Sequence, residues 1–163
     1  MSRFSFKRSC STIALAIGLV SVCGISQADP QVDPNAQYIT QAYAYMDSGW
    51  LTVDTAKMTA YMTSNFQYTK PGGKTIDRAD YVKGLYFLAT VGGKGSGKAA
   101  AKTTITRMLG NGNEIVAYRI FGFSSADGPT QGMRGLFYYA DTWLRTTKGW
   151  VMTKETMTGY KRL

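Results

Sequence analysis

Gly92, Gly97 and Lys98 stand in the spacing G-x-x-x-x-G-K within Val91-Gly-Gly-Lys-Gly-Ser-Gly-Lys-Ala-Ala100. In that arrangement backbone N–H groups wrap the phosphates of a nucleotide and the lysine reaches the outer oxygens. The next position argues against this chemistry, because a magnesium-dependent site needs a Ser or Thr hydroxyl where the chain has Ala99. The motif should also open a helix, whereas Lys102-Thr-Thr-Ile-Thr-Arg-Met-Leu109 alternates like a strand. The stretch reads instead as a flexible basic connector.

The chain has no histidine, and its two cysteines are Cys10 and Cys23. Ser-His and Cys-His nucleophilic catalysis are therefore excluded, and neither a metal site nor a cofactor is expected. Any chemistry falls to Tyr, Lys, Arg, Asp or Glu. Asp141 and Glu155 are each the only acid in a long strand-like run. They read as surface or paired carboxylates, with Arg134, Arg145 and Lys154 as partners. No obvious pair of titratable groups offers itself for acid–base work. Lys94, Lys98 and Lys102 cluster, and aromatic residues for base stacking are plentiful, but the other basic residues are scattered singly. A solvated face explains them, and a nucleic-acid partner is not favoured.

The elements that must position these residues begin at Asp33-Pro34, where Asp caps a helix and Pro takes its first position. Ala36, Ile39, Tyr43 and Met46 follow at helical spacing, and Gly49 closes the run. A second helix is predicted from about Thr52 to Thr63, burying Met58, Tyr61 and Met62. Ser64 to Thr69 alternates like a strand, and Pro71-Gly-Gly73 turns the chain. Asp77 caps a third helix, with Asp80 in its first turn and Tyr81, Val82, Leu85 and Leu88 facing inward. Four strands follow, at about 101–109, 113–124, 131–147 and 149–159, and their short Gly/Asn turns predict an antiparallel meander. Helices gathered ahead of such a sheet make an α+β layer fold.

Ahead of all this lie Arg3, Lys7 and Arg8, an apolar run centred on Ile13 to Val20, and Ser26-Gln-Ala28. That is the pattern of a signal peptide cleaved after Ala28. It is too short in apolar residues for a membrane span, and Val22 before Cys23 argues against a lipoprotein. Residues 29–163 then form a single domain without cysteine, periplasmic or secreted, whose formal charge falls from +9 to +6 with the loss of the three basic residues.

The run from Asp54 to Gly73 with the helix at Asp77, and the ending Asp141-Thr-Trp-Leu-Arg-Thr-Thr-Lys-Gly-Trp-Val-Met-Thr-Lys-Glu155, resemble nuclear transport factor 2-like domains. The small SnoaL-like or ketosteroid-isomerase-like proteins are the most similar branch, and the resemblance spans roughly residues 34–158. It implies a cone, in which a curved antiparallel sheet wraps three N-terminal helices around a mostly apolar pocket. Tyr43, Tyr68, Tyr118, Tyr138 and Trp150 are the expected ligand-binding residues, with Phe66, Phe121 and Tyr139 as further candidates for the lining. Matched by position, the family's carboxylate base falls at Lys70, its late-strand acid near Tyr138 and its first-helix donor near Ala42, beside Tyr43. The isomerase reaction therefore lacks its carboxylate base, and a lysine desolvated in the pocket would have to act as base or Schiff-base nucleophile in its place.

These readings imply a small-ligand-binding domain for an apolar or amphipathic molecule, with a SnoaL-like cyclase or isomerase as the alternative and an interaction module as the third reading. Homodimerisation through an outer sheet face carrying Phe121, Phe123, Phe137 and Trp143 is a further expectation.

Overall fold

A computed structural model of the chain describes residues 33–93, 100–124 and 134–163. The signal-peptide segment, the centre of the Gly/Lys connector and the turn at 126–129 lie outside the described residues. Helix α1 (Pro34–Thr52) begins where Asp33 Oδ1 accepts from the Asn35 N–H at 2.9 Å, so the cap read from Asp-Pro is made. It runs past Gly49, where the sequence predicts its end, to Thr52, and stops at Val53, whose left-handed φ of 55° breaks the helix.

The second helix is far shorter than its apolar spacing predicts. Helix α2 covers only Thr55–Met58, and Met62 instead opens strand β1 (Met62–Thr69). Thr59 and Met62 close that corner with turn hydrogen bonds, and the Tyr61 carbonyl accepts from the distant Met152 N–H at 2.7 Å, so strand pairing takes over where the sequence predicts further helix. The Gly72-Gly73 turn, both residues with φ near +90°, folds a short strand β2 (Thr75–Asp77) back onto β1. Helix α3 (Arg78–Gly93) follows, its first turn capped by Asp77 Oδ1, which accepts from the Asp80 N–H. Leu85 and Ala89 are buried on its inner side, but Leu88 is 49% exposed rather than inward.

Strands β3 (Ala100–Asn111), β4 (Glu114–Ser124), β5 (Arg134–Thr146) and β6 (Gly149–Arg162) form the expected antiparallel meander. The sheet order is β2-β1-β6-β5-β4-β3, and β1 pairs with β6 in parallel. The sheet is thus mixed rather than wholly antiparallel, because the whole meander intervenes between those two strands in the chain. Its inner face packs on α1, whose Ile39, Ala42, Tyr43 and Met46 meet Trp143 and Met152. Burial of Ile39, Phe66 and Met152 contributes about 1.5–3 kcal/mol each. Among the described residues no helix is long and apolar enough to cross a membrane.

Candidate functional site

Alternation along β4 puts Ile115, Ala117, Arg119 and Phe121 on one face, the face that α1 covers. Arg119 is therefore carried into the interior by its strand and is only 8% exposed. On β5 the same alternation brings Phe137, Tyr139, Asp141 and Trp143 inward. A register shift in the β5–β6 ladder between Thr142 and Trp143 then reverses the parity of β6, so that Trp150 and Met152 are buried on one side of it and Glu155 on the other.

The outcome is a charged network sunk in apolar surroundings. Arg119 donates from Nε to Asp141 Oδ2 and from Nη2 to Glu155 Oε2, the latter at 2.5 Å. Its guanidinium lies 4.2 Å from the Tyr139 ring centre and 5.1 Å from that of Tyr43. Tyr43 donates its hydroxyl to Asp141 Oδ2 at 2.7 Å and accepts from Trp143 Nε1 at 3.0 Å. Tyr81, brought across by α3, donates to Glu155 Oε1 at 2.5 Å. Asp141 and Glu155 are 0% and 1% exposed, and among the described residues Asp141 Oδ1 has no hydrogen-bond partner.

Burial dominates the protonation of both acids. Loss of water pushes the Glu155 carboxyl up to about 7, against the opposing pull of Arg119 and with Asp141 adding repulsion. Asp141 is raised by the same cause. Tyr43, Tyr81 and Tyr139 are all raised by burial, so they stay neutral donors. Arg119 loses water too, but its two carboxylates more than compensate and hold it charged.

Glu155 and Arg119 form part of the wall of a cavity of about 360 Å³. The remaining wall is mainly apolar, with Trp50, Phe121, Phe137, Met58 and Met152 among its members. This volume is at the small end of the ~300–1,000 Å³ usual for small-molecule sites. Two more carboxylates join the lining, the exposed Asp80, paired with Lys83, and Asp47, whose oxygens accept from the Thr103 N–H at 2.6 Å and from Thr103 Oγ1 at 3.0 Å. Among the described residues no group of acidic side chains is arranged to hold a metal ion.

Of the five residues expected to bind ligand, Tyr43 and Tyr68 line this cavity. Tyr118 is 37% exposed, on the opposite face of β4 from Arg119. Tyr138 points away between cavity-lining Phe137 and Tyr139, and lies over Gly159. Trp150 is core, its Nε1 donating to Asn35 Oδ1 at 3.2 Å. Lys70, at the position of the family base, is an exposed residue of the cavity mouth. The aromatic residues assigned to an outer dimer face lie inside: Phe121, Phe123 and Phe137 line the cavity and Trp143 is fully buried. Nor are Asp141 and Glu155 surface carboxylates paired with Arg134, Arg145 or Lys154; their partner is Arg119. The signal for Arg119 and Asp141 is a single charge in an otherwise apolar inward series, whereas the bulge hides Glu155 from any such reading.

No protein-family model matches the chain, and no curated protein does. Solved structures do. A function-unknown protein from Mycobacterium tuberculosis superposes with a TM-score of 0.63 at 15% identity, over 82% of this chain and 79% of that one. A conserved protein from Planctomyces limnophilus gives 0.61 at 9% identity, covering 78% and 98%. An NTF2-like protein from Cytophaga hutchinsonii gives 0.56 at 12% identity, covering 78% and 99%. At such identities the likeness carries the fold and nothing finer. The chain has the nuclear transport factor 2-like (NTF2-like) fold, α+β, with a curved six-stranded sheet packed on its helices.

Proposed function

We propose that residues 29–163 are an exported, single-domain protein of the SnoaL-like kind that binds one small apolar or amphipathic molecule in the cavity between α1, α3 and the sheet. One observation carries this reading. A largely apolar chamber carries a few converging polar groups, chief among them Arg119 and Glu155 with Tyr68, Tyr81 and Tyr139, and this combination orients a ligand as well as enclosing it.

The test is native mass spectrometry of the protein isolated from the periplasm of its own cells, followed by denaturation and identification of what is released. A stoichiometric small molecule is the expected result, and the intact mass should begin at Asp29 and report the oligomeric state. A bound nucleotide or nucleic acid would overturn the reading. So would a protein that takes up no apolar probe while its Trp50 fluorescence stays unchanged.

A second reading, turnover of the bound molecule, is favoured by Glu155. A carboxyl group whose pKa burial pushes up to about 7, at the wall of a largely apolar cavity, is poised to give or take a proton. Loss of turnover in Glu155→Gln with binding retained would identify a SnoaL-like cyclase or isomerase type of enzyme.

A further inference from the structure

The network at the cavity wall is one positive charge short. Asp141 and Glu155 share the one guanidinium of Arg119. The remaining groups around Glu155 are neutral phenols or acids: Tyr81 from α3, Tyr68 from β1, Tyr139 and Asp141 from β5, with Tyr43 of α1 on the far carboxylate. With both acids ionised, a net negative charge is buried against apolar walls, which is costly unless something neutralises it. In the empty protein a proton on Glu155 can do so.

The same geometry ranks possible ligands by charge. An anion gains less from Arg119, whose single charge is already shared between Asp141 and Glu155 through Nε and Nη2, although its Nη1 hydrogens remain as donors. It would also meet the carboxylates of Glu155 and Asp47 in the cavity lining. A cation meets the opposite situation. Each carboxylate oxygen keeps a second lone pair after accepting one hydrogen bond. Thr103 fixes the orientation of Asp47, and the aromatic side chains of Tyr68, Tyr81 and Tyr139 border the cavity. Lys70, the other basic side chain of the lining, is out at the exposed mouth.

We infer that the cavity takes a cationic amphiphile, an alkyl- or arylalkylammonium whose charged end sits against Glu155 and whose apolar body fills the aromatic chamber, with Asp47 adding a further negative group to the lining. This rests on the binding function proposed above and names its ligand class. Binding then exchanges one positive charge for another: the ammonium enters and the Glu155 proton leaves to solvent.

The experiment is isothermal calorimetry of the whole mature protein with phenylbutylamine, phenylbutanol and phenylbutyrate, at pH 6 and pH 8, in buffers of differing ionisation enthalpy. The amine should bind about 10-fold tighter than the alcohol, or roughly 1.4 kcal/mol, and the carboxylate more weakly than both. Amine binding should release a proton at pH 6 and almost none at pH 8. Glu155→Gln should bring the amine down to the level of the alcohol, and Asp47→Asn should lower it part of the way. If Glu155→Gln does not fold, the wild-type series and Asp47→Asn still decide. Equal binding of amine and alcohol, or tightest binding of the carboxylate, overturns the charge inference while leaving a binder. Failure of all three to bind overturns the binding reading itself and the inference with it.

Discussion

Asp141 and Glu155 stand directly opposite one another across the β5–β6 ladder, and the guanidinium of Arg119 from β4 holds both carboxyl groups. Like charges facing each other on adjacent strands repel. Three neighbouring strands thus contribute one ionic array, two facing acids bridged by a single guanidinium, beneath α1. The cavity inherits its polarity from this array, since Glu155 and Arg119 border it while Asp141 supports them from behind.

Arg119→Met should be among the most damaging single substitutions in the chain. It leaves two buried carboxyl groups without their counter-ion, a loss of about 3–5 kcal/mol by comparison with broken buried pairs. Combining it with Asp141→Asn and Glu155→Gln removes the stranded charges and should recover a large part of that loss. Urea unfolding of the single and triple variants measures both; a triple variant no more stable than the single one would contradict the electrostatic origin of the effect.

The raised carboxyl of Glu155 gives stability an unusual pH dependence. Its folded pKa, about 7, lies above its ordinary value of 4.5. Below about 4.5 both folded and unfolded chains hold the proton. Between about 4.5 and 7 the unfolded chain has released it and the folded one has not, so this group's contribution falls as pH rises and levels off above 7. The raised Asp141 acts in the same direction. Urea midpoints from pH 4.5 to 7.5 should therefore decline in the wild type relative to Glu155→Gln. A difference that grows with pH instead would reverse the assignment.

Much of the frame is legible in the sequence for local reasons. Asp33-Pro34 and Asp77 start helices through contacts within three residues, and the Gly/Asn turns fix the meander. The parts that escape depend on distant pairing. Strand β2 exists only because Thr75–Asp77 meets Gln67–Thr69, and the parallel β1–β6 contact joins segments more than 80 residues apart. Parity is the most consequential miss. Phe121 and Phe137 look the same on either face of a strand until the helix that covers one face is known, and the shift beside Thr142 inverts β6 just before Glu155.

Gly84 offers a way to close the cavity without unfolding the protein. It lies within α3 and lines the mouth, and an added Cβ would meet nothing within 4 Å. Gly84→Ala should stabilise by about 0.5–1 kcal/mol through helix propensity. Gly84→Leu should keep the fold while projecting a side chain into the opening, and weaken binding of an apolar probe about 10-fold or more. Thermal unfolding and probe titration check the two effects separately; unchanged affinity in a stable Gly84→Leu would place the ligand elsewhere.

Gly110 and Gly149 should differ in their tolerance of alanine although both have left-handed φ, 139° and 120°. At Gly110 a Cβ would lie 2.1 Å from the Glu114 carbonyl oxygen, in the backbone of the β3–β4 hairpin. At Gly149 the obstacle is the Tyr38 hydroxyl at 2.5 Å, the end of a side chain that can swing aside. Gly149→Ala should cost about 1–2 kcal/mol from the backbone conformation, and Gly110→Ala clearly more. Chemical denaturation of both variants orders them, and an equal cost would show that the hairpin backbone adapts as readily as the tyrosine.

Tyr81 ties α3 to the charge network, and its hydroxyl favours the ionised form of Glu155 by donating to Oε1. Tyr81→Phe removes a hydrogen bond to a charged group, worth about 1.5–3 kcal/mol. Because that energy is present only when Glu155 is ionised, its loss should move the Glu155 titration upward by about one pH unit or more. Tyr68→Phe is the matched control, since the Tyr68 hydroxyl is directed to Met157 Sδ at 3.3 Å rather than to the carboxylate. Carbon-detected NMR of the Glu155 carboxyl follows both titrations. An upward shift confined to Tyr81→Phe would place the proton on Glu155 under the control of α3, the helix that also lines the cavity mouth, whereas equal shifts in both variants would mean that general burial alone sets it.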